Sequence, residues 1–106
     1  MRILLDECVD QRLRLLFAGH DCQTAGYAKL SGMKNGVLLA AAEAVGFEAI
    51  ITTDQGIPYQ QNFKLRRIAI LVLCTPTNRL ADLARLSPAA LLALETVEAG
   101  QVLRID

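Results

Sequence analysis

The sequence predicts an α/β fold: a three-layer α/β/α sandwich around a mostly parallel sheet of four to five strands, with residues 1–106 forming a single domain. Two observations carry this. Short, near-continuous apolar runs (Ile3-Leu4-Leu5, Ala49-Ile50-Ile51 and Ile68 through Leu73) alternate with segments in which apolar residues recur at helical spacing, and strands buried on both faces read in this way. Hydrophobic residues make up 53% of the 106 residues, led by 18 Leu and 15 Ala, which supplies a core for one domain of ordinary size.

The elements follow in order. Ile3-Leu4-Leu5 is a buried strand closed by Asp6 and Glu7. Val9, Leu13, Leu16 and Phe17 form the stripe of a first helix, which Gly19 stops. Cys22-Gln23-Thr24 is a short second strand, and the stretch from Gly26 to Lys34 is a loop. Asn35 is placed to cap a helix from Gly36 to Val45 with the stripe Val37, Leu38, Ala41, Val45, ended by Gly46. The third strand, Ala49 to Thr53, runs into Asp54, and Pro58 to Asn62 is an amide-rich turn or short helix. Ile68 to Leu73 is the longest strand and reads as central. Thr77 is the expected cap of a helix with Leu80, Leu83 and Ala84, and Ser87-Pro88 the N-cap and first turn of a last helix with Leu91, Leu94 and Val97 inside. Gly100 closes that helix, and Val102 to Ile105 is a final strand. Right-handed crossovers suggest the order 2-1-3-4, with the last strand at the far edge and an antiparallel direction left open for it.

Composition narrows the function classes. Lys plus Arg and Asp plus Glu are both 11, so the formal charge is zero, which argues against coating nucleic acid or anionic membrane by bulk charge. Aromatic residues are 5% and Trp is absent, so base-stacking platforms are poorly supplied. The longest apolar run, Ile68 to Cys74, falls far short of the ~18 residues of a membrane span. Acids arrive too early at the N-terminus for a secretory signal, so a cytoplasmic protein is expected. Cys8, Cys22 and Cys74 form no CxxC pair and the single His is His20, so the cysteines read as small buried hydrophobes and not as a zinc site.

One constellation carries chemistry. If the first and third strands are neighbours, Asp6 and Asp54 sit on adjacent strand ends at the point where the connections reverse, the place where open α/β sheets bind ligands. Asn35, Thr75 and the segment from Gln55 to Asn62 belong to the same rim. Two carboxylates so close repel unless they share a proton, a base or a cation, and a hard divalent ion with oxygen ligands resolves the conflict. The same residues also serve as helix caps, and Glu7 in the first helical turn also complements a helix dipole. Gln60, Gln61 and Asn62 offer amides to a phosphate or ribose, or form a polar surface turn. Lys64, Arg66 and Arg67 lie where the fourth strand begins, at the opposite edge from the acids.

The run Ile3-Leu4-Leu5-Asp6-Glu7, the loop leading to Asn35-Gly36-Val37-Leu38-Leu39, the stretch Ile51-Thr52-Thr53-Asp54-Gln55 and Tyr59-Gln60-Gln61-Asn62 together resemble the small PIN-like domains. These are relatives of PIN-domain nucleases that often act as toxins in bacterial toxin–antitoxin pairs. The resemblance implies an RNA-cleaving hydrolase with Asp6 and Asp54 as metal ligands and catalytic acids, and Glu7 as an accessory base. It also implies Mg²⁺ or Mn²⁺ as cofactor, RNA as substrate and a small DNA-binding antitoxin as partner, with no membrane and with a homodimer left open. Asn35, Gln55, Gln61, Asn62 and Thr75 would position the substrate. The sequence departs from that pattern where Asn35 and Gly56 stand in place of further acids, which implies one weakly held ion and feeble activity. Two readings from other classes compete: a receiver-like signalling domain, which would need a Lys after the last strand, and a partner-binding module without catalysis. The cysteine reading is directly testable: the mass of the denatured, unreduced protein should equal that of the fully reduced chain, and a loss of two hydrogens would contradict it.

Overall fold

Period-two alternation within each apolar run decides which side chain faces which layer. A computed structural model describes residues 1–33, 35–56 and 67–106, with Asn35 by its backbone alone. The described elements are β1 (Arg2–Leu5), a 3₁₀-helix η1 (Gln11–Leu16), β2 (Asp21–Thr24), α1 (Asn35–Ala44), β3 (Ala49–Thr52), β4 (Ala69–Leu73), α2 (Leu80–Arg85), α3 (Ser87–Thr96) and β5 (Val102–Ile105). The five strands form one sheet in the order β2-β1-β3-β4-β5, and every pair is parallel. β5 is therefore not antiparallel. Two helices separate it from β4, enough chain to return to the starting edge and run in the same direction.

Odd-numbered strand residues Ile3, Leu5, Ala49, Ile51, Ala69, Leu71 and Leu73 share one core with Leu13 and Phe17 around η1 and with Leu83, Ala90 and Leu94 of α2 and α3. Even-numbered Leu4, Ile50, Ile70 and Val72 share the other with Leu38, Leu39 and Ala42 of α1 and with Phe47. This is the α/β/α sandwich. In α1 the buried stripe is Leu38, Leu39 and Ala42, whereas Val37, and Val45 just past the helix end, are exposed. The helix is apolar almost all round, so its periodicity leaves the rotation open, and the larger leucines face the sheet.

The helix ends also differ from expectation. Val9 and Phe17 are buried outside two turns of 3₁₀-helix instead of inside an α-helix, and the Asp10 carboxylate caps η1 by accepting from Arg12 N. Ser87 does not cap α3. Its hydroxyl donates to the Ala84 carbonyl at 2.7 Å and so satisfies the end of α2. Arg79 holds the N-cap position of α2 without a side-chain bond to the helix, and Thr77 Oγ1 acts one step earlier by accepting from Arg79 N. Gly46, at φ +92°, ends α1 with Gly46 N bonded to Glu43 O and Phe47 N to Ala42 O, the paired bonds of a Schellman motif. The cysteines are free, but Cys8 is exposed and Cys22 and Cys74 only partly buried. Burial and the neighbouring Asp21 carboxylate push the Cys22 thiol up to about 11, so it stays protonated at neutral pH. Among the described residues, no helix is long and apolar enough to cross a membrane.

The Arg12 guanidinium and the Arg12 backbone N–H hold the Asp10 carboxyl at about 2, below its ordinary 3.8. A depressed value means that the associated stabilisation is complete above the ordinary range and disappears as pH falls through about 2. An NMR titration of Asp10 should give that midpoint, and Arg12→Ala should move it back toward 3.8. Stability at neutral pH should barely change, because the pair is exposed.

Candidate functional site

Parallel register brings the ends of β1 and β3 level. Leu4 opposes Ile50 and Leu5 opposes Ile51, and Asp6 N continues the ladder by donating to Ile51 O at 3.0 Å. Asp6 therefore stands opposite Thr52, both on the α1 side of the sheet, and Asp54 lies two residues further along the chain. Thr52 is fully buried, so its hydroxyl must find partners within the protein. It donates to Asp6 Oδ2 at 2.8 Å and accepts from Asp54 N at 3.0 Å. One hydroxyl thus ties the side chain of one predicted acid to the backbone of the other.

The remaining bonds around the two acids come from the same short segments. Asp6 Oδ1 accepts from Glu7 N at 2.8 Å, and the Cys8 thiol donates to Asp6 Oδ2 at 3.6 Å. Thr53 Oγ1 donates to Cys8 Sγ at 3.1 Å, stitching the turn after β1 to the turn after β3. Asp54 Oδ1 accepts from Gly56 N at 2.9 Å, a local turn bond that aims the carboxylate. Asp54 is exposed and Asp6 half-buried.

The other predicted positions are distributed around this pair. The Glu7 carboxylate accepts from Gly32 N, which clamps the β2–α1 loop onto the end of β1. Asn35 opens α1, directly after that loop, on the carboxyl side of the sheet. Gln55 Oε1 accepts from Arg104 Nη2 at 3.0 Å. The Thr75 hydroxyl donates to the Thr77 carbonyl within its own loop, on the approach to α2. Gln60, Gln61 and Asn62 lie outside the described residues, as do Lys64 and Arg66. Arg67 begins the approach to β4, where its backbone N–H donates to Glu43 Oε1 at 2.8 Å.

Sequence reasoning missed Thr52, Thr53, Cys8 and Arg104. The first could have been found by aligning Leu4-Leu5-Asp6 with Ile50-Ile51-Thr52 as paired strands, which puts a hydroxyl beside a carboxylate. Cys8 reads as apolar by type, and its polar role depends on the neighbouring strand end. Nothing local announces Arg104, because its place depends on the direction of β5.

The donor set can be compared with a cation. A carboxylate offers about four lone-pair positions, of which Asp6 uses three, and Asp54 Oδ2 makes no hydrogen bond among the described residues. Among those residues no group of three or more His, Cys, Asp and Glu side chains is gathered for a metal ion. Two carboxylates are fewer ligands than a two-ion centre gathers, so the described residues do not fit one. No family model matches the chain, and no curated protein or solved structure matches it.

Thr52→Val keeps the shape but leaves the Asp54 N–H without its acceptor and Asp6 Oδ2 with the Cys8 thiol alone. Chemical denaturation should show a loss of about 1–3 kcal/mol, with Thr52→Ser recovering most of it. An unchanged midpoint for the valine variant would contradict the linking role of the hydroxyl.

Proposed function

We propose that the chain is a PIN-like domain that cleaves RNA feebly, with one Mg²⁺ or Mn²⁺ held by Asp6 and Asp54. The observation that carries the reading is the Thr52 bridge: it tethers two acids from neighbouring strands at the carboxyl edge of the sheet, where β1 connects to β2 on one side and β3 pairs on the other. Such an ion supplies a water of lowered pKa and neutralises charge developing on a phosphoryl oxygen. The chain's own residues do the rest. Thr52, Glu7 N and Cys8 hold the Asp6 carboxylate in one orientation, and Gly56 N does the same for Asp54. Glu7 secures the loop that leads to Asn35, where a neutral amide replaces the acid of more charged relatives. The toxin role follows from the resemblance of the Asp6, Asn35 and Asp54 segments, and a small DNA-binding antitoxin encoded beside this gene is the expected companion.

A second reading has one observation in its favour. The all-parallel order β2-β1-β3-β4-β5 is also that of receiver-like signalling domains, which carry acids after β1 and β3 and a Thr after β4. A phosphoryl group gained from a small phosphodonor, read by mass, would favour it.

The deciding experiment measures cleavage of single-stranded RNA against Mn²⁺ concentration. Wild type should cleave slowly, Asp54→Asn should abolish cleavage, and Asn35→Asp should strengthen it by adding ligand charge. If wild type shows no metal-dependent cleavage and Asn35→Asp restores none, the nuclease reading fails and a partner-binding role becomes the better account.

A further inference from the structure

Strand register aligns four residues across the carboxyl end of the sheet. Asp6 opposes Thr52, Thr52 pairs with Val72, and Val72 pairs with Arg104. The row runs from an anion through a buried hydroxyl and a buried apolar residue to a cation, all on the α1 side. Arg104 is exposed, and its guanidinium reaches back over β4 to donate to Gln55 Oε1 at 3.0 Å, next to Asp54. Gln55 carries no charge, and among the described residues no carboxylate lies within ion-pair distance of Arg104. Its neutral partner aims the cation without neutralising it.

We propose that Arg104 is a positioning residue that binds a backbone phosphate flanking the one at the acids, so that the site takes a chain of linked phosphates and not a mononucleotide. This rests on the reading of Asp6 and Asp54 as a phosphodiester site. At about 4.8 Å between strands, three strand spacings separate the Asp6 and Arg104 backbones by roughly 14 Å. The guanidinium shortens that gap by reaching back to Gln55, one residue from Asp54, which sets the cation beside the acids, where the next phosphate of an extended strand passes. Guanidinium suits the task because it presents several fixed donors and remains charged at every relevant pH.

The test is binding of a labelled, mixed-sequence single-stranded RNA oligonucleotide in Ca²⁺, a hard ion that carboxylates hold, read before any cleavage accumulates. Arg104→Gln should weaken binding about tenfold and flatten the dependence of log affinity on log salt by about 0.7 to 1. Arg104→Lys should keep the slope. Gln55→Ala should weaken binding less and leave the slope unchanged, since it frees the guanidinium without removing its charge. Arg85→Gln, whose side chain is already paired with Asp82, should change neither. Equal affinity and slope for wild type and Arg104→Gln, or no oligonucleotide binding by wild type, overturns the proposal. Arg104-dependent binding without Mn²⁺-dependent cleavage would sink the nuclease reading and leave this one standing, while cleavage indifferent to Arg104 would do the reverse.

Discussion

Burial of β1, β3 and β4 on both faces is the constraint from which most of this molecule follows. With no solvent on either side, Ile3-Leu4-Leu5, Ala49-Ile50-Ile51 and the whole of β4 must be apolar, and each backbone group must be met by the ladder. Polar chemistry is pushed to the two ends of the strands. The connections then decide what each end becomes.

At the amino end the polar groups are spent on holding the fold. Arg2 N donates to Glu48 Oε1 at 3.1 Å, while its guanidinium donates to the Val45 carbonyl and lies 4.7 Å from the centre of the Phe47 ring. Glu43 Oε1 accepts from Arg67 N and Ile68 N, fastening α1 to the start of β4. A Cβ at position 46 would come within 2.7 Å of Arg2 Nη1, so glycine there serves both the positive φ and the close approach. These bonds join backbone to side chain across elements that packing already brings together.

The carboxyl end is built differently. Its bonds run among short turns after β1 and β3, and they orient the Asp6 and Asp54 carboxylates. Thr52 is the junction between the two ways of using polar groups: it is buried like the core, yet it hydrogen-bonds Asp6, Cys8 and Asp54 of the rim. Orientation by a buried hydroxyl gives a rigid acid at low cost, because the partner is satisfied in the same step.

Much of the fold was legible because it depends on local chemistry. Runs such as Ile3-Leu4-Leu5 exclude one-sided strands, Gly46 requires a helix end, and the alternation of strand and helix patterns leads to a parallel sheet. Asp6 and Asp54 were legible as acids after strands for the same reason. The helix details were not, since an all-apolar α1 leaves its rotation to packing, and since the Ser87 hydroxyl turns to the Ala84 carbonyl upstream and not to the helix it begins. The candidate site divides along the same line. By itself the sequence determined the two acids, the strands they follow and the rim they share. Only the tertiary structure decided that Thr52 would join them and that Cys8 and Thr53 would meet. The same is true of Arg104, which arrives beside Gln55 because β5 runs parallel to β4. Register and strand direction are set by burial over the whole sheet, and no single segment carries that information.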